Sequence, residues 1–159
     1  MASKLLFISL ASVVLLASVA VSEQDAGESP APAFDAGLAS ELGADDYGMK
    51  RYVMAFLKAG HNRDRTPEEA QALQRAHLDN IRRMAEEGKL VLAGPFMDDG
   101  DIRGIYVFAV DSVEDAEALT ATDPAVQAGS LVMELHPWYG SAALMKVGDI
   151  HARIARDSP

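Results

Sequence analysis

The amino-acid sequence predicts one α+β domain over residues 48–147, in which four strands alternate with two helices. Two observations support this prediction: apolar runs of strand length, and a long helical segment whose ends carry capping residues. A chain of 159 residues is long enough for one domain of ordinary size. The segments on either side of residues 48–147 have a different composition, so a second domain is not expected.

The first strand and the long helix are marked by their residue types. Residues 52–57 are all apolar, which is typical of a strand covered on both faces. Thr66, Pro67 and Glu69 then supply an N-cap, a proline at the first helical position and a capping-box partner. A helix therefore begins there, and Gly88 ends it because glycine readily adopts the left-handed conformation.

The remaining elements complete a βαββαβ order. Residues 89–94 and 102–110 are two further apolar strands, joined as a hairpin by a turn rich in Asp and Gly. A second helix follows, capped by Asp111 or Ser112, and a fourth strand is predicted at residues 130–136. This order is that of a ferredoxin-like unit.

The third strand predicts how the domain assembles. Ile105 and Val107 point to one face of the sheet, and Tyr106 and Phe108 point to the other, so both faces are apolar. Two helices cover only one face of such a sheet, and an uncovered apolar face would be an unusually large exposed patch. We therefore expect a homodimer in which the two sheets stack.

The first 22 residues are typical of a secretory signal peptide. Lys4 precedes an apolar run of 17 residues, 5–21, which ends in small residues near Ser22. An uncleaved membrane anchor is the alternative, although a span needs about 20 residues. We expect a secreted, periplasmic or cell-envelope protein that contacts the membrane only through this segment if it is retained.

Residues 23–47 have the composition of a disordered spacer. They are rich in Ala, Ser, Pro and Gly and contain seven acidic and no basic residues. Such a segment buries too little apolar surface to offset the entropy of ordering it. Residues 148–159, at the other end, are predicted to be a C-terminal tail.

Composition excludes several classes of function. The net charge is −10, and the basic residues form no stripe that could neutralise phosphates, so nucleic acid is not expected as a partner. The chain has no cysteine, which excludes disulfides and thiolate metal sites. No glycine-rich phosphate-binding fingerprint is present, so no nucleotide cofactor is expected.

His77 is the first candidate for chemistry. On a helix that turns about 100° per residue, it lies in the middle of an apolar stripe. The other members of the stripe are Ala70, Leu73, Ile81 and Met84. A buried imidazole is costly unless it is paired. The ring is either a core histidine bonded to a backbone carbonyl or a general base.

Asp123 is the second candidate. An aspartate before Pro124 is a good N-cap for a short helix. The functional alternative is that its carboxylate orients the imidazole of His77 as a general base. The two roles can coexist in one side chain.

Four further positions are predicted to bind substrate: Tyr106, His136, Trp138 and Pro95. His136 and Trp138 follow the predicted fourth strand and could line the mouth of a pocket, where the indole offers a flat face to a ring. Packing at the edge of the sheet is the alternative for both.

A metal site was the remaining possibility for the histidines. His77, His136 and Asp123 are the residue types of a two-histidine, one-carboxylate site. No helical or strand spacing forces these three residues to converge, so no metal is predicted.

Resemblance to a known family is carried by three runs of sequence. They are AHLDNIRRMAEEGKLVLAGPF (76–96), GIYVFAVDSVEDAEAL (104–119) and ATDPAVQAGSLVMELHPWYG (121–140). The chain resembles the YCII-related family over residues 49–143. The resemblance implies a ferredoxin-like domain that dimerises as an α+β barrel. It also implies an active site formed by a histidine and an aspartate, which correspond here to His77 and Asp123.

The expected function combines these observations. Some members of the resembled family are linked to lyase or dehydrohalogenase chemistry on hydroxylated rings. We expect an extracytoplasmic enzyme in which His77 takes a proton from a small, ring-bearing substrate while Asp123 holds the imidazole, in an elimination or isomerisation. A second hypothesis is a module that binds a small apolar or aromatic ligand without chemistry, and a third is a dimeric scaffold.

Overall fold

The structure is a computed structural model that describes residues 33–157. The predicted signal peptide at residues 1–22 lies outside the described residues, as does the first part of the predicted spacer, residues 23–32. Among residues 33–157, no helix is long and apolar enough to cross a membrane.

The observed elements follow the predicted order with additions at both ends. They are α1 (Ala36–Leu42), β1 (Met49–Ala59), α2 (Pro67–Glu86), β2 (Leu90–Pro95), β3 (Ile102–Phe108), α3 (Val113–Thr120), α4 (Pro124–Gln127), β4 (Leu131–Ser141), a 3-10 helix (Ala142–Lys146) and α5 (Val147–Ile154). The four strands form an antiparallel sheet in the order β2-β3-β1-β4. This α+β arrangement is that of a ferredoxin-like fold, as predicted.

Helix α2 begins and ends where the sequence predicts. The Glu69 carboxylate accepts the Thr66 backbone N–H at 2.8 Å, and the Thr66 hydroxyl accepts the Glu69 N–H at 3.3 Å. Gly88 has a φ of 67°, the left-handed conformation that ends the helix. These caps determine the ends of α2, and its buried side chains are His77, Asn80 and Met84.

The main core lies between one face of the sheet and helices α2 and α3. In the register of β1 and β3, Val53 pairs with Phe108 and Ala55 pairs with Tyr106, so these four side chains share that face. Phe108 is fully buried, and burial of a side chain of this size contributes about 1.5–3 kcal/mol. Helix α2 therefore packs against the face formed by β1 and β3.

The opposite face of the sheet is partly covered by the C-terminal segment of the same chain. Tyr52 and Val107 point to this face, yet each is only 1% exposed. The 3-10 helix and α5 contact β1 and β2 and account for this burial. The prediction that residues 148–159 are only a tail is therefore wrong for the part that belongs to α5.

Helix α1 lies within the segment predicted to be a disordered spacer. Asp35 caps its first turn by accepting a backbone N–H at 3.0 Å, and Gly43 ends it with a φ of 67°. Lys146 of the 3-10 helix pairs with Glu41 at 2.5 Å. The prediction of disorder is wrong for Ala36–Leu42, because caps and tertiary contacts order a segment that composition alone assigns to a spacer.

Strand β4 is longer than predicted. Its pairing with β1 continues from Ala59 opposite Leu131 to Met49 opposite Ser141. His136 and Trp138 therefore lie within the strand, and the prediction that they follow it is wrong. An edge strand accommodates the intervening Pro137 because one side of it makes no ladder hydrogen bonds.

Candidate functional site

His77 and Asp123 form a buried pair between α2 and the start of α4. The Nδ1 atom of His77 lies 2.8 and 3.0 Å from the two carboxylate oxygens of Asp123. His77 is 8% exposed and Asp123 is fully buried. The partner of the imidazole is thus a carboxylate rather than a backbone carbonyl.

Asp123 makes two contacts, one with the backbone of α4 and one with His77. Its Oδ1 atom accepts the backbone N–H of Ala125 at 2.9 Å, which makes it the N-cap of α4. The same carboxylate accepts the Nδ1 proton of His77. Because the helix cap fixes the carboxylate, the cap also fixes the orientation of the imidazole.

Tyr106 lies at the other nitrogen of the His77 ring. Its hydroxyl is 3.3 Å from Nε2. An ionised carboxylate only accepts hydrogen bonds, so the neutral ring carries its proton on Nδ1 and leaves a lone pair on Nε2. Burial raises the pKa of Tyr106, and the charge of Asp123 raises it further. The Tyr106 hydroxyl therefore stays protonated and donates to Nε2.

This chain of three side chains leaves one nitrogen available for proton transfer. The Tyr106 to Nε2 distance of 3.3 Å is longer than a usual hydrogen bond of this kind, so the contact is weak and a substrate can compete with it. The His77 side chain keeps 11% of its surface exposed. The arrangement is suited to a general base that acts at Nε2.

A polar network that the sequence analysis missed supports the pair. Arg83 donates to the Asn80 side-chain oxygen at 2.8 Å and to the Thr122 hydroxyl at 3.0 Å. The Thr122 hydroxyl also lies 3.2 Å from the Asn80 oxygen. These bonds join α2 to the residue before Asp123. The sequence offers one indication of this network: Asn80 is three residues after His77 and therefore lies on the same helix face.

A cleft of about 230 Å³ is lined by residues next to the pair, although neither His77 nor Asp123 lines it. Leu73 and Gln74 on α2 form part of its wall, one helical turn before His77. Ala125, whose N–H binds Asp123, forms another part.

A larger cleft of about 780 Å³ lies at the other end of the sheet. Its walls include Arg51 and Tyr52 at the start of β1 and Trp138 and Tyr139 at the end of β4. Neither cleft is lined by His77 or Asp123, but the smaller one is lined by Ala125, which binds Asp123, and by Gln74, one helical turn before His77. Proximity to the pair, rather than volume, therefore identifies the candidate site.

His136 and Trp138 do not lie beside His77. Leu135 packs against the main core, so its neighbour His136 points to the other face of the sheet. There the His136 ring lies 5.5 Å from the Phe56 ring, and the Trp138 ring lies 5.8 Å from that of Tyr52. The structure does not bring these two predicted substrate-binding residues together with the pair.

Pro95 and Tyr106 differ in how close they come to the pair. Pro95 lies at the end of β2 opposite Gly104, two residues beyond Ala93, which pairs with Tyr106. Pro95 is therefore on the same sheet face as Tyr106 but about 7 Å along the strand. Of the four positions predicted to bind substrate, Tyr106 is the one that contacts His77.

The residues weighed as metal ligands are separated by the sheet. His77 and Asp123 lie on the helix-covered face, whereas His136 lies on the other face beside Glu134. Among residues 33–157, no group of three His, Asp or Glu side chains converges as a metal site would require.

Comparison with known families identifies the domain. The family model for the YCII-related domain matches residues 53–139, which is more than half of the chain. The chain belongs to the YCII-related family. Its YCII-related domain contains His77, Tyr106 and Asp123, while α1 and α5 lie outside the matched range. A search of curated proteins finds no match.

Proposed function

We propose that this YCII-related protein is an acid–base enzyme that acts on a small, ring-bearing molecule and belongs to the lyase or isomerase type. The observation that carries the proposal is the buried contact of 2.8 Å between His77 Nδ1 and the Asp123 carboxylate. A carboxylate at Nδ1 holds the imidazole with its Nε2 lone pair available, which is the arrangement that a general base requires.

In the proposed reaction, Nε2 of His77 accepts a proton from a carbon or hydroxyl group of the substrate. The electron pair left behind either moves to a neighbouring carbonyl oxygen or expels a leaving group. The imidazolium then formed is stabilised by the negative charge of Asp123. In an isomerisation His77 returns the proton to a different atom, and in an elimination it releases the proton to solvent.

Tyr106 has a supporting part in this proposal. Its hydroxyl stays protonated and lies 3.3 Å from Nε2. When a substrate takes its place at Nε2, the hydroxyl is free to donate to a substrate oxygen on which negative charge develops. Burial of Tyr106 strengthens such a hydrogen bond because little water competes for it.

We also propose that the enzyme is exported and works as a homodimer. Export is supported by the apolar run over residues 5–21. Dimerisation is supported by the part of the sheet that the C-terminal segment leaves accessible, where Val132 is 48% exposed. Light scattering of the mature protein tests the dimer: a mass of two chains supports it, and a mass of one chain contradicts it.

The proposed chemistry can be tested before the natural substrate is known. A panel of hydroxylated and carbonyl-bearing ring compounds is incubated with the protein in D₂O, and loss of carbon-bound protons is followed by NMR. We expect His77→Gln to lower the exchange rate of an accepted compound by about 10²–10⁴-fold, the usual contribution of a general base.

His136→Gln is the matched control, because His136 also pairs with a carboxylate but lies on the other face of the sheet. We expect it to leave the exchange rate unchanged. Equal rates for the wild type and His77→Gln would refute the proposal. A compound that binds in the cleft and is recovered without exchange would instead support the binding-module hypothesis.

A further inference from the structure

The cleft beside His77 has a polar end and an apolar end. Arg63 and Arg65, from the loop before α2, form the polar end. Ala70, Leu73 and Leu131 form the apolar walls. Two cationic groups beside an apolar surface favour a ligand that combines an anionic group with a small apolar body.

Both arginines contact backbone carbonyls, Arg65 more closely than Arg63. Arg65 donates to the carbonyl of Ala128 at 2.7 Å and also to that of Asn62. Arg63 makes a long contact of 3.5 Å to the carbonyl of Ser130. A guanidinium has five N–H donors, so these bonds hold the two groups in place without using all of their donors.

The positive charge of this end is not neutralised by an ion pair. Among residues 33–157, Arg63 and Arg65 make no salt bridge to a carboxylate, and this includes Asp64 between them. Toward the other end of α2, by contrast, Arg82 pairs with Asp79 and Arg83 pairs with Glu87. In a chain of net charge −10, this is a local site that attracts an anion.

The size of the cleft limits the ligand. A volume of about 230 Å³ is below the roughly 300–1,000 Å³ of sites for drug-sized molecules. The planar guanidinium fork matches a carboxylate with two parallel hydrogen bonds. A small monocarboxylate with one ring is therefore the ligand that best fits both the charge and the volume.

The cleft also orients such a ligand toward the catalytic pair. Gln74 lies one helical turn before His77, and Ala125 donates to the carboxylate of Asp123. A ligand whose anionic group is bound at the arginine end would lie against Leu73 and Gln74 of α2, one helical turn before His77.

We propose that the substrate carries a carboxylate, which Arg63 and Arg65 bind while the rest of the molecule extends toward His77. This inference rests on the proposed acid–base function for the fate of the substrate. The recognition of a carboxylate, however, is a separate claim that binding alone can test.

The test compares benzoate with benzamide, its neutral isostere, by NMR titration of the ¹⁵N-labelled protein. We expect benzoate to bind about tenfold more tightly and to shift the amide signals of Leu73, Gln74 and Ala125. Equal affinities, no binding of benzoate, or shifts confined to the cleft at Arg51 and Trp138 would each overturn the proposal.

Arg63→Gln is the decisive variant, because it removes the charge and loses only one long contact to the protein. We expect it to weaken benzoate binding about tenfold, as expected for a charge-assisted hydrogen bond, and to leave benzamide binding unchanged. Arg75→Gln is the matched control, since Arg75 is an exposed arginine elsewhere on α2. An equal effect of the two substitutions would contradict a specific site.

A final variant separates this inference from the proposed enzyme. His77→Ala keeps both arginines, so benzoate selectivity persists in it if the arginine end recognises the carboxylate. If benzoate selectivity persists in His77→Ala, the anion site is supported. If proton exchange is also as fast in His77→Gln as in the wild type, the catalytic proposal is refuted while the anion site is retained. The anion-site proposal requires that Arg63→Gln lose the preference for benzoate over benzamide, whether or not His77 is the base.

Discussion

The two faces of the sheet each carry a histidine paired with a carboxylate at the same distance. On the helix-covered face, His77 Nδ1 lies 2.8 Å from Asp123. On the other face, His136 Nε2 lies 2.8 Å from Glu134. The side chains of the first pair are 11% and 0% exposed, and those of the second pair are 48% and 47% exposed. Distance alone therefore does not distinguish a reactive pair from a solvated one.

The pairs also differ in what they connect. Glu134 and His136 are two residues apart on one strand, where side chains share a face because of the strand geometry. His77 and Asp123 are 46 residues apart and join α2 to the cap of α4. An exposed pair is weakened by water and salt, whereas a buried pair keeps its geometry and its electrostatic strength. The buried pair is the one on which function can depend.

Removal of the buried carboxylate is expected to have the largest effect on stability. Asp123→Ala leaves the buried imidazole without its partner and removes the N-cap of α4. We expect the unpaired N–H and the lost cap together to lower the free energy of unfolding by about 2–5 kcal/mol, measured by urea denaturation. Glu134→Ala is the control, and its midpoint should stay close to that of the wild type. Similar losses in the two variants would contradict the contrast between the faces.

Neutralising each carboxylate without changing its shape tests the catalytic role. Asp123→Asn can still cap α4, but it no longer supplies a negative charge to an imidazolium. We expect the proton-exchange rate of an accepted ring compound to fall about tenfold or more, which is about 1.4 kcal/mol or more of transition-state energy. Glu134→Gln should leave the rate unchanged. If both substitutions left it unchanged, Asp123 would have only a structural role.

The free energy of unfolding at alkaline pH should depend on the burial of Tyr106. Burial raises its pKa above the ordinary value of 10.0, so the neutral hydroxyl is favoured in the folded state. The stability that this neutral hydroxyl contributes is present below about pH 10 and is lost as the pH rises toward the pKa of Tyr106 in the folded protein. The free energy of unfolding should fall by about 1.4 kcal/mol per pH unit for this one proton.

Tyr106→Phe should remove that part of the alkaline decline. The smaller contributions of Tyr52 and Tyr139, whose pKa values are also raised, should remain. Urea denaturation at intervals above pH 9 measures the slope for the two proteins. An unchanged slope in Tyr106→Phe would show that the hydroxyl reaches solvent.

The exposed pair should give the smallest effects. Hydrogen bonds from Lys58 and then from His136 hold the pKa of Glu134 below its ordinary value of 4.5. A lowered carboxyl pKa stabilises the fold above the ordinary value, and this contribution is lost as pH falls through the lowered one. Lys58→Met should raise the pKa of Glu134 in a ¹³C NMR titration without a resolvable change in the thermal midpoint. A large loss of stability would contradict the view of this pair as solvated.

Local chemistry made the order of the elements predictable. The capping box of Thr66 and Glu69 and the left-handed Gly88 are signals that act within a few residues, and the structure contains all of them. The burial of His77 was predictable for the same reason, since helical periodicity determines which residues face the sheet. The resemblance to the YCII-related family supplied Asp123 as its partner, which local patterns cannot do across 46 residues.

The parts that could not be predicted depend on contacts between distant segments. The face to which His136 and Trp138 point depends on the register of β4 against β1, which continues past Pro137. The order of α1 depends on its contact with the 3-10 helix, about one hundred residues later. Arg63 and Arg65 lie in a loop with no periodicity, so only the fold reveals that they line the cleft.

The pairing of His77 with Asp123 is tested most directly by ¹⁵N NMR of the histidine ring nitrogens at neutral pH. The geometry predicts that Nδ1 of His77 carries a proton and that its signal changes in Asp123→Asn. An unprotonated Nδ1, or a signal that does not respond to Asp123→Asn, would contradict the pairing and with it the proposed base.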